Sequence, residues 1–508
     1  MKRILAAIAS LALAGSASHA QFSASFQTNI ISGVISNWTG NYYTFGYSYD
    51  SLQLSAGAHL NDGEPFLEGG FDSVSVTGSN TVWGNGGGPL VGYNSDSNVL
   101  TVSNGGVVNG TDGEIGDSGS TNSAVVVGAM STWNNYDALT VGYNGVWNSL
   151  VISNGGVVND YGQCYIGRVG DNNSIQVSGS SSIFSNTAEL QVGYSGNSNV
   201  LTVVGGKVFD VAAGVIGFGG NDNYVGIFNH GSWVNSGYLF IGENGSGNSL
   251  VVSNGGSVSD TDAYIGYYAS DSSNSVLITD PSTLWSNTYV GVGYGGASNS
   301  LTISNSAILY TSGLVINNGS TFTASTGNIV GTEYGSVAAY FNGGINWLLD
   351  GTVFSAAVFS NAGTINVTGS TLYLKNNHND VNVGVLNVVN GSLTLSNSVL
   401  INYGTIDAVY GNINLYNGSS LTNAGGTILT SNNIPVITSV SVTGADVQIA
   451  FQTGMGGQYG VEYTDDLTSG NWTSVQDGLT GTNGVLTVVD TGAAVLTQRF
   501  YHALLHRP

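Results

Sequence analysis

Three groups of residues in this chain have the types and spacing to do chemistry: the scarce cations, two close pairs of acids, and a spaced series of large aromatics. Beyond the N-terminal Lys2 and Arg3, the cations are Arg168, Lys207, Lys375, Arg499 and Arg507. A polysaccharide lyase of the β-helical kind wants an Arg or Lys base beside calcium-binding carboxylates. Arg168 stands near Asp171 and Lys207 follows well downstream, and they form no recognisable set. A glycoside hydrolase wants two carboxyl groups at a fixed separation. The tight pairs are Asp260/Asp262 and Asp465/Asp466, both in turn-like sequence. His230, in Asn229-His230-Gly231, has no base or nucleophile placed beside it. Cys164 is the single cysteine and reads as a small core residue; one thiol excludes a disulfide framework and a cysteine metal cluster.

The aromatics and a second series of acids recur at regular distances. Val108, Val158, Val208 and Val258 hold one position, with Asn109, Asn159, Phe209 and Ser259 next to them. The valines should face the core and their neighbours water. The neighbour slot of the intervening repeats holds Trp83, Trp133, Phe184 and Trp285, with Trp233 one place earlier. This predicts an outer face of rings about 10 Å apart, a candidate glycan-stacking face. The alternative is that the rings are half-buried under turns or between repeats. Asp62, Asp160, Asp210 and Asp260 recur similarly, with Gly110 in the missing slot. At about 10 Å apart they cannot share a calcium, whose ligands lie at about 2.3–2.6 Å. They read as solvated charge that discourages edge-to-edge association. No metal or cofactor is expected.

The elements that position these residues are repeats. Asn98, Asn122, Asn148, Asn173, Asn199, Asn223, Asn248, Asn274 and Asn299 recur at intervals of 24 to 26, and Asp50 and Asp72 precede them. An apolar pair follows two and four places later, as in Leu100/Val102 and Ile175/Val177, usually with a polar residue between. That is the period of a strand with one buried face. A second anchor, Val-Gly-Tyr or a variant, precedes each Asn: Val91-Gly92-Tyr93, Val141-Gly142-Tyr143, Ile265-Gly266-Tyr267. Each unit holds two or three short strands, has no room for a helix, and buries its apolar face only by stacking on the next. Ser-Asn-Gly-Gly and aromatic endings alternate, so the unit of duplication spans two coils.

Beyond residue 318 the period shortens. Asn342-Gly343-Gly344, Asn361-Ala362-Gly363, Asn382-Val383-Gly384, Asn402-Tyr403-Gly404 and Asn423-Ala424-Gly425 fall 19 to 21 apart. The expected fold is all-β: a right-handed parallel β-helix of roughly 16 coils, about 75 to 80 Å long at about 4.8 Å per step, followed by a small C-terminal β-sandwich. The boundaries read as signal peptide 1–20, N-terminal cap 21–45, coils of about 25 residues over 46–318, coils of about 20 residues over 319–433, and a fibronectin III or immunoglobulin-like sandwich over 434–508.

The composition sets the compartment and excludes partners. Met1-Lys2-Arg3, the apolar run Ile4–Ala14 and Ser18-His19-Ala20 form a secretory signal, with cleavage before Gln21. Loss of Lys2 and Arg3, with no acid lost, takes the net charge from −23 to −25. Nothing in so acidic a chain displaces counterions from phosphate, so nucleic acid is excluded, and no later segment is apolar enough for a helical membrane span.

The motif Val-Gly-Tyr … Asn-Ser-Leu-x-Val-Ser-Asn-Gly-Gly, over about residues 46–318, resembles the passenger repeat of autotransporter (type V secretion) and PEP-CTERM-associated proteins. Tyr459-Gly460-Val461-Glu462-Tyr463-Thr464-Asp465-Asp466-Leu467, Asn471-Trp472 and Arg499-Phe500-Tyr501 resemble a terminal module of large secreted bacterial surface proteins. The resemblance implies an exported β-helix, adhesin-like and often at the cell surface. Two departures stand out: residues 434–508 are too few for a membrane β-barrel, and no Pro-Glu-Pro sorting signal is present. The function expected is non-enzymatic display, adhesion or matrix building, secreted or outer-membrane-associated. Glycans or cell-surface and matrix components are the expected partners, together with lateral self-association. The alternative is a polysaccharide-degrading β-helix enzyme.

Overall fold

The computed structural model describes residues 25–38, 43–317, 319–326, 328–330, 337–349, 351–377 and 379–507; residues 1–20, expected as a signal peptide, lie outside them. The chain divides into two compact units, Met1–Phe322 and Thr323–Pro508.

In the first unit each turn holds three short strands. One turn consists of Val99–Ser103, Val107–Gly110 and Gly113–Ile115. Each pairs in parallel with its equivalent one turn later, Ser123–Val127, Thr132–Asn135 and Leu139–Val141. Three parallel sheets therefore wrap one interior. Leu100 and Val102 are fully buried while Thr101 between them is partly exposed, as the period-two pattern requires. The 21–45 segment carries Thr28–Ser32, Ile35–Trp38 and Tyr43–Phe45, which already pair in parallel with the following turn.

The recurrent asparagines are the corner between the third strand of one turn and the first strand of the next. The backbone N–H and the side-chain Nδ2 of Asn98 both donate to Asn122 Oδ1, at 2.8 and 2.9 Å. Asn122 repeats this toward Asn148 at 2.8 and 3.1 Å, and Asn223 toward Asn248 at 2.9 and 3.1 Å. The Asp50 and Asp72 carboxylates enter the same ladder as acceptors, Asp50 Oδ1 from Gln27 N–H and Asp72 Oδ1 from Asp50 N–H, and Asp72 N–H donates on to Asn98 Oδ1, each at 2.9 Å. The glycine of Val-Gly-Tyr belongs to this ladder. Gly142 has φ +79°, and a Cβ there would overlap the side-chain amide of Asn173 one turn on. Glycine is required for conformation and for space.

The second unit continues with shorter turns. Asn361 Nδ2 donates to Asn382 Oδ1 (2.8 Å), Asn382 to Asn402 (2.7 Å) and Asn402 to Asn423 (3.0 Å). Asn342 stands outside this register, because Phe341 is the residue opposite Asn361. Together the two units hold a parallel β-solenoid of about 16 turns. Two antiparallel sheets follow: Val436–Thr443, Asp446–Gln452 and Val485–Asp490 form one, and Thr473–Thr480, Gln458–Thr464 and Phe500–His506 the other. They share a core of Ile449, Phe451, Tyr459, Val461 and Val488. Among the described residues, no helix is long and apolar enough to cross a membrane.

Candidate functional site

The large aromatics of the second strands are inside. Trp83, Trp133, Phe184, Trp233 and Trp285 each have no exposed surface, so the expected outer stacking face of these rings does not exist. The reason is register. Trp133 pairs with Val108, Phe184 with Val158, Trp233 with Val208 and Trp285 with Val258. The rings occupy the valine slot itself, not the neighbouring one, and a one-residue slip moves a side chain to the other face of a sheet. The same register explains the two-coil period. Turns with Val108/Gly113 and Val208/Gly214 alternate with turns holding Trp133/Leu139 and Trp233/Leu239. A Cβ on Gly113 would lie 2.7 Å from Trp133 Cζ2, and one on Gly214 2.5 Å from Trp233 Cζ2. Small turns make room for large ones, which is how a stacked interior fills without voids.

The recurrent acids are also inside. Asp62, Asp160 and Asp210 are at most 5% exposed, contrary to their reading as solvated charge. They share one inward column with asparagines, two places after the Val/Trp slot. Asp62 pairs with Asn85, Asn135 with Asp160, Asp160 with Asn186, and Asp210 with both Asn186 and Asn235. Trp83 Nε1 donates to Asp62 Oδ2 (2.8 Å), Trp285 Nε1 to Asp260 Oδ2 (2.5 Å), and Asn135 Nδ2 to Asp160 Oδ1 (3.0 Å). Burial pushes Asp62 up to about 7 and Asp160, Asp210 and Asp260 up to about 8.

The aromatic surface of the first unit lies elsewhere, on the outer face of the third sheet. Middle residues of third strands alternate with the inward ones: Tyr165, Gln191, Val215, Phe240 and Tyr264 are in register, the first three buried and Phe240 and Tyr264 partly exposed. The residue after each Val-Gly forms a second column beside them. Tyr194 stacks on Phe218 (4.9 Å, 3°), Phe240 on Tyr264 (5.5 Å, 17°) and Tyr267 on Tyr294 (5.2 Å, 7°). Between columns the rings meet edge to face, as Tyr264 does with Tyr267 (5.2 Å, 81°) and Tyr294 (5.1 Å, 76°). Tyr238 and Tyr294 are each half exposed. Glu243 joins this face, held up to about 7 by burial and by repulsion from Glu189 and Asp271. The tyrosine of Val-Gly-Tyr was legible as a repeat anchor, but nothing in the repeat alone says that its ring folds onto the sheet beside it.

The remaining sequence candidates separate. Arg168 sits 4.7 Å over the Tyr143 ring and 5.0 Å over Tyr165, whereas Lys207 opens a second-sheet strand, Lys207–Asp210, and is exposed. The corner between Ser257–Ser259 and Asp262–Ile265 splits the first acid pair: Asp260 is bonded to Trp285, and Asp262 opens the next strand opposite Tyr289. Asp466 accepts from Thr468 N and Oγ1 in a tight turn (2.8 and 2.7 Å). Asp465 takes Arg499 through Nε (2.8 Å) and a second guanidinium nitrogen (3.1 Å), and Arg499 also donates to Asp490 Oδ2 (3.0 Å). The guanidinium lies 3.5 Å over Tyr463, and Tyr501 O–H donates to Asp490. The terminal motif is thus a clasp joining the two antiparallel sheets. His230 holds a left-handed corner (φ 62°), and burial raises the thiol of Cys164 well above its ordinary range. Among the described residues no three His, Cys, Asp or Glu side chains gather as a metal site. A cavity of about 290 Å³ in the second unit is lined by Thr405, Thr427, Gln458, His506 and Arg507, whose Nε is bonded to Asp407 (2.6 Å).

No protein-family model matches the chain, and no curated protein does. Among solved structures, the TibC-catalysed hyper-glycosylated TibA55–350 fragment is similar at 13% identity and a TM-score of 0.33, covering 78% of this chain and 96% of that one.

Proposed function

We propose that this chain is an exported, non-enzymatic β-helical surface protein, adhesin-like or a structural display component, and that its contact face is the tyrosine-rich outer face of the third sheet. The observation that carries the reading is the aromatic lattice of Phe240, Tyr264, Tyr267 and Tyr294, which includes a half-exposed ring. Clustered exposed aromatics on a soluble protein mark contact surfaces. Tyrosine also suits neutral glycan: it offers apolar C–H surface together with a hydroxyl that donates and accepts. Support for a non-enzymatic role comes from the acid pairs, one divided by a corner between strands and the other engaged in a turn and a clasp.

The test is retention of the purified chain on a panel of neutral polysaccharides, with released reducing ends measured in parallel. Retention that drops at least tenfold in Tyr264→Ser/Tyr294→Ser, with unchanged circular dichroism, supports the face. Equal retention by the variant removes it. Steady release of sugar ends by the unaltered chain overturns the non-enzymatic reading in favour of a polysaccharide-degrading one.

A further inference from the structure

The interior column of acids and amides has more acceptors than donors. Two amide turns share one pattern. Asn186 Nδ2 donates to Ala188 O (3.0 Å) and Asn235 Nδ2 to Tyr238 O (2.7 Å), while Gly237 N–H donates to Asn235 Oδ1 (3.2 Å). These two asparagines cap the corner that follows them, whereas both side-chain polar atoms of Asn85 and Asn287 are buried without partners, as are the donors Trp133 Nε1 and Trp233 Nε1. Asp210 copies half of this: its Oδ1 accepts from Ala212 N–H (3.4 Å). Its Oδ2, the atom in place of the amide nitrogen, has no partner. Asp160 Oδ2, Asp62 Oδ1 and Asp260 Oδ1 are likewise buried without partners, as is the acceptor Asn135 Oδ1. An ionised carboxylate in such a place is an uncompensated buried charge, which proteins avoid by neutralising it.

We propose that Asp62, Asp160, Asp210 and Asp260 are carried as neutral carboxylic acids standing in for asparagine, so that the interior column is a proton-dependent lock on the β-helix. A protonated carboxyl has the shape of a carboxamide and supplies the one donor that its unpaired oxygen lacks. The charged neighbours all push the same way. Asp112 and Asp137 repel charge on Asp160, Glu189 on Asp210 and Asp262 on Asp260, and a Cys164 thiolate would be repelled by Asp160 and Asp210; Lys207 and His59 open the strands that end at Asp210 and Asp62 but lie on the opposite, outer face. The raised values of about 7 to 8 accord with this geometry. They set the sign: the folded chain keeps protons that the unfolded chain gives up near pH 4, so the column's contribution to stability is full below about pH 4 and is lost as pH rises to about 8.

Asp72, Glu114 and Glu243 are also held up to about 7, so the diagnostic quantity is the difference between variants. Melting of the full chain is followed from pH 5 to pH 9 for the wild type, for Asp62→Asn/Asp160→Asn/Asp210→Asn/Asp260→Asn, and for the exposed control Asp96→Asn/Asp222→Asn. The column variant should match the wild type near pH 5, exceed it by ten degrees or more at pH 9, and show a flatter profile; the control should keep the wild-type slope. Parallel profiles for wild type and column variant overturn the proposal. Infrared spectra of the wild type, which need no variant, should show protonated carboxyl carbonyl absorption at pH 6.5 that disappears by pH 9. Its absence at pH 6.5 overturns the proposal equally.

Discussion

Gly142 shows how much one residue of the repeat decides. Its φ of +79° already disfavours any side chain, and the amide of Asn173 fills the place where a Cβ would stand. Gly418 has a similar φ, +74°, with open space around it. Both Gly→Ala changes pay for the left-handed backbone, at about 1–3 kcal/mol, but only Gly142→Ala also breaks the asparagine ladder. Urea unfolding should therefore show Gly142→Ala as the more destabilised, by at least about 1 kcal/mol, the cost of a displaced buried hydrogen bond. Equal losses would mean that the ladder yields without cost. Arg499 is the corresponding residue of the terminal sheets, since one guanidinium engages Asp465, Asp490 and the Tyr463 ring.

At the scale of the element, the strand register decides what the tryptophans do. Trp133 lies in the Val108 slot of the next turn, and Gly113 and Gly214 clear space for rings above them. Trp133→Ala removes a fully buried ring and should cost about 3–5 kcal/mol. Gly113→Val should also destabilise, by overpacking at about 1–3 kcal/mol. Pairing Gly113→Val with Trp133→Ala should recover part of the loss, because the two side chains compete for one volume. A double-mutant cycle by denaturant unfolding measures this; strict additivity would show that they do not share that space. The strand alternation that hides the tryptophans also carries the column of acids inside and places Tyr264 outside.

Across the whole molecule, charge and closure matter most. The chain has a formal net charge of −23 and few cations, so exposed acids repel one another at low salt. The terminal sheets depend on the Arg499 clasp, and Arg499→Met leaves Asp490 without its cation. Calorimetry of the full chain should then show an early transition several degrees below that of the wild type, since about 1 kcal/mol moves the midpoint of a domain of this size by about 4–8 °C. Arg499→Lys should fall between the two, because an ammonium cannot hold both oxygens of Asp465 in a planar fork. A melting curve unchanged by Arg499→Met would show that the core of Phe451, Tyr459 and Val488 holds the sheets by itself.

What the sequence determined by itself is the stacking. Asn98 to Asn299, with apolar pairs two and four places on, imply turns of two or three short strands and parallel pairing, because a repeated corner and a period of two leave few other ways to bury the apolar side. The shorter asparagine period from Asn361 onward was legible for the same reason. The tertiary structure decided which way the side chains between the anchors point. Trp133 and Asp160 are each legible as regular, yet both lie on the inner face. For Trp133, counting from one anchor accumulates a one-residue error across turns of unequal length, and in a strand that single step exchanges core for solvent; for Asp160, charge points to solvent although alternation from the core-facing Val158 carries it inside. The tyrosine face escaped notice for a related reason. Its rings come from two columns separated by a corner, and only closure of the turn brings Tyr264 against Tyr267 and Tyr294.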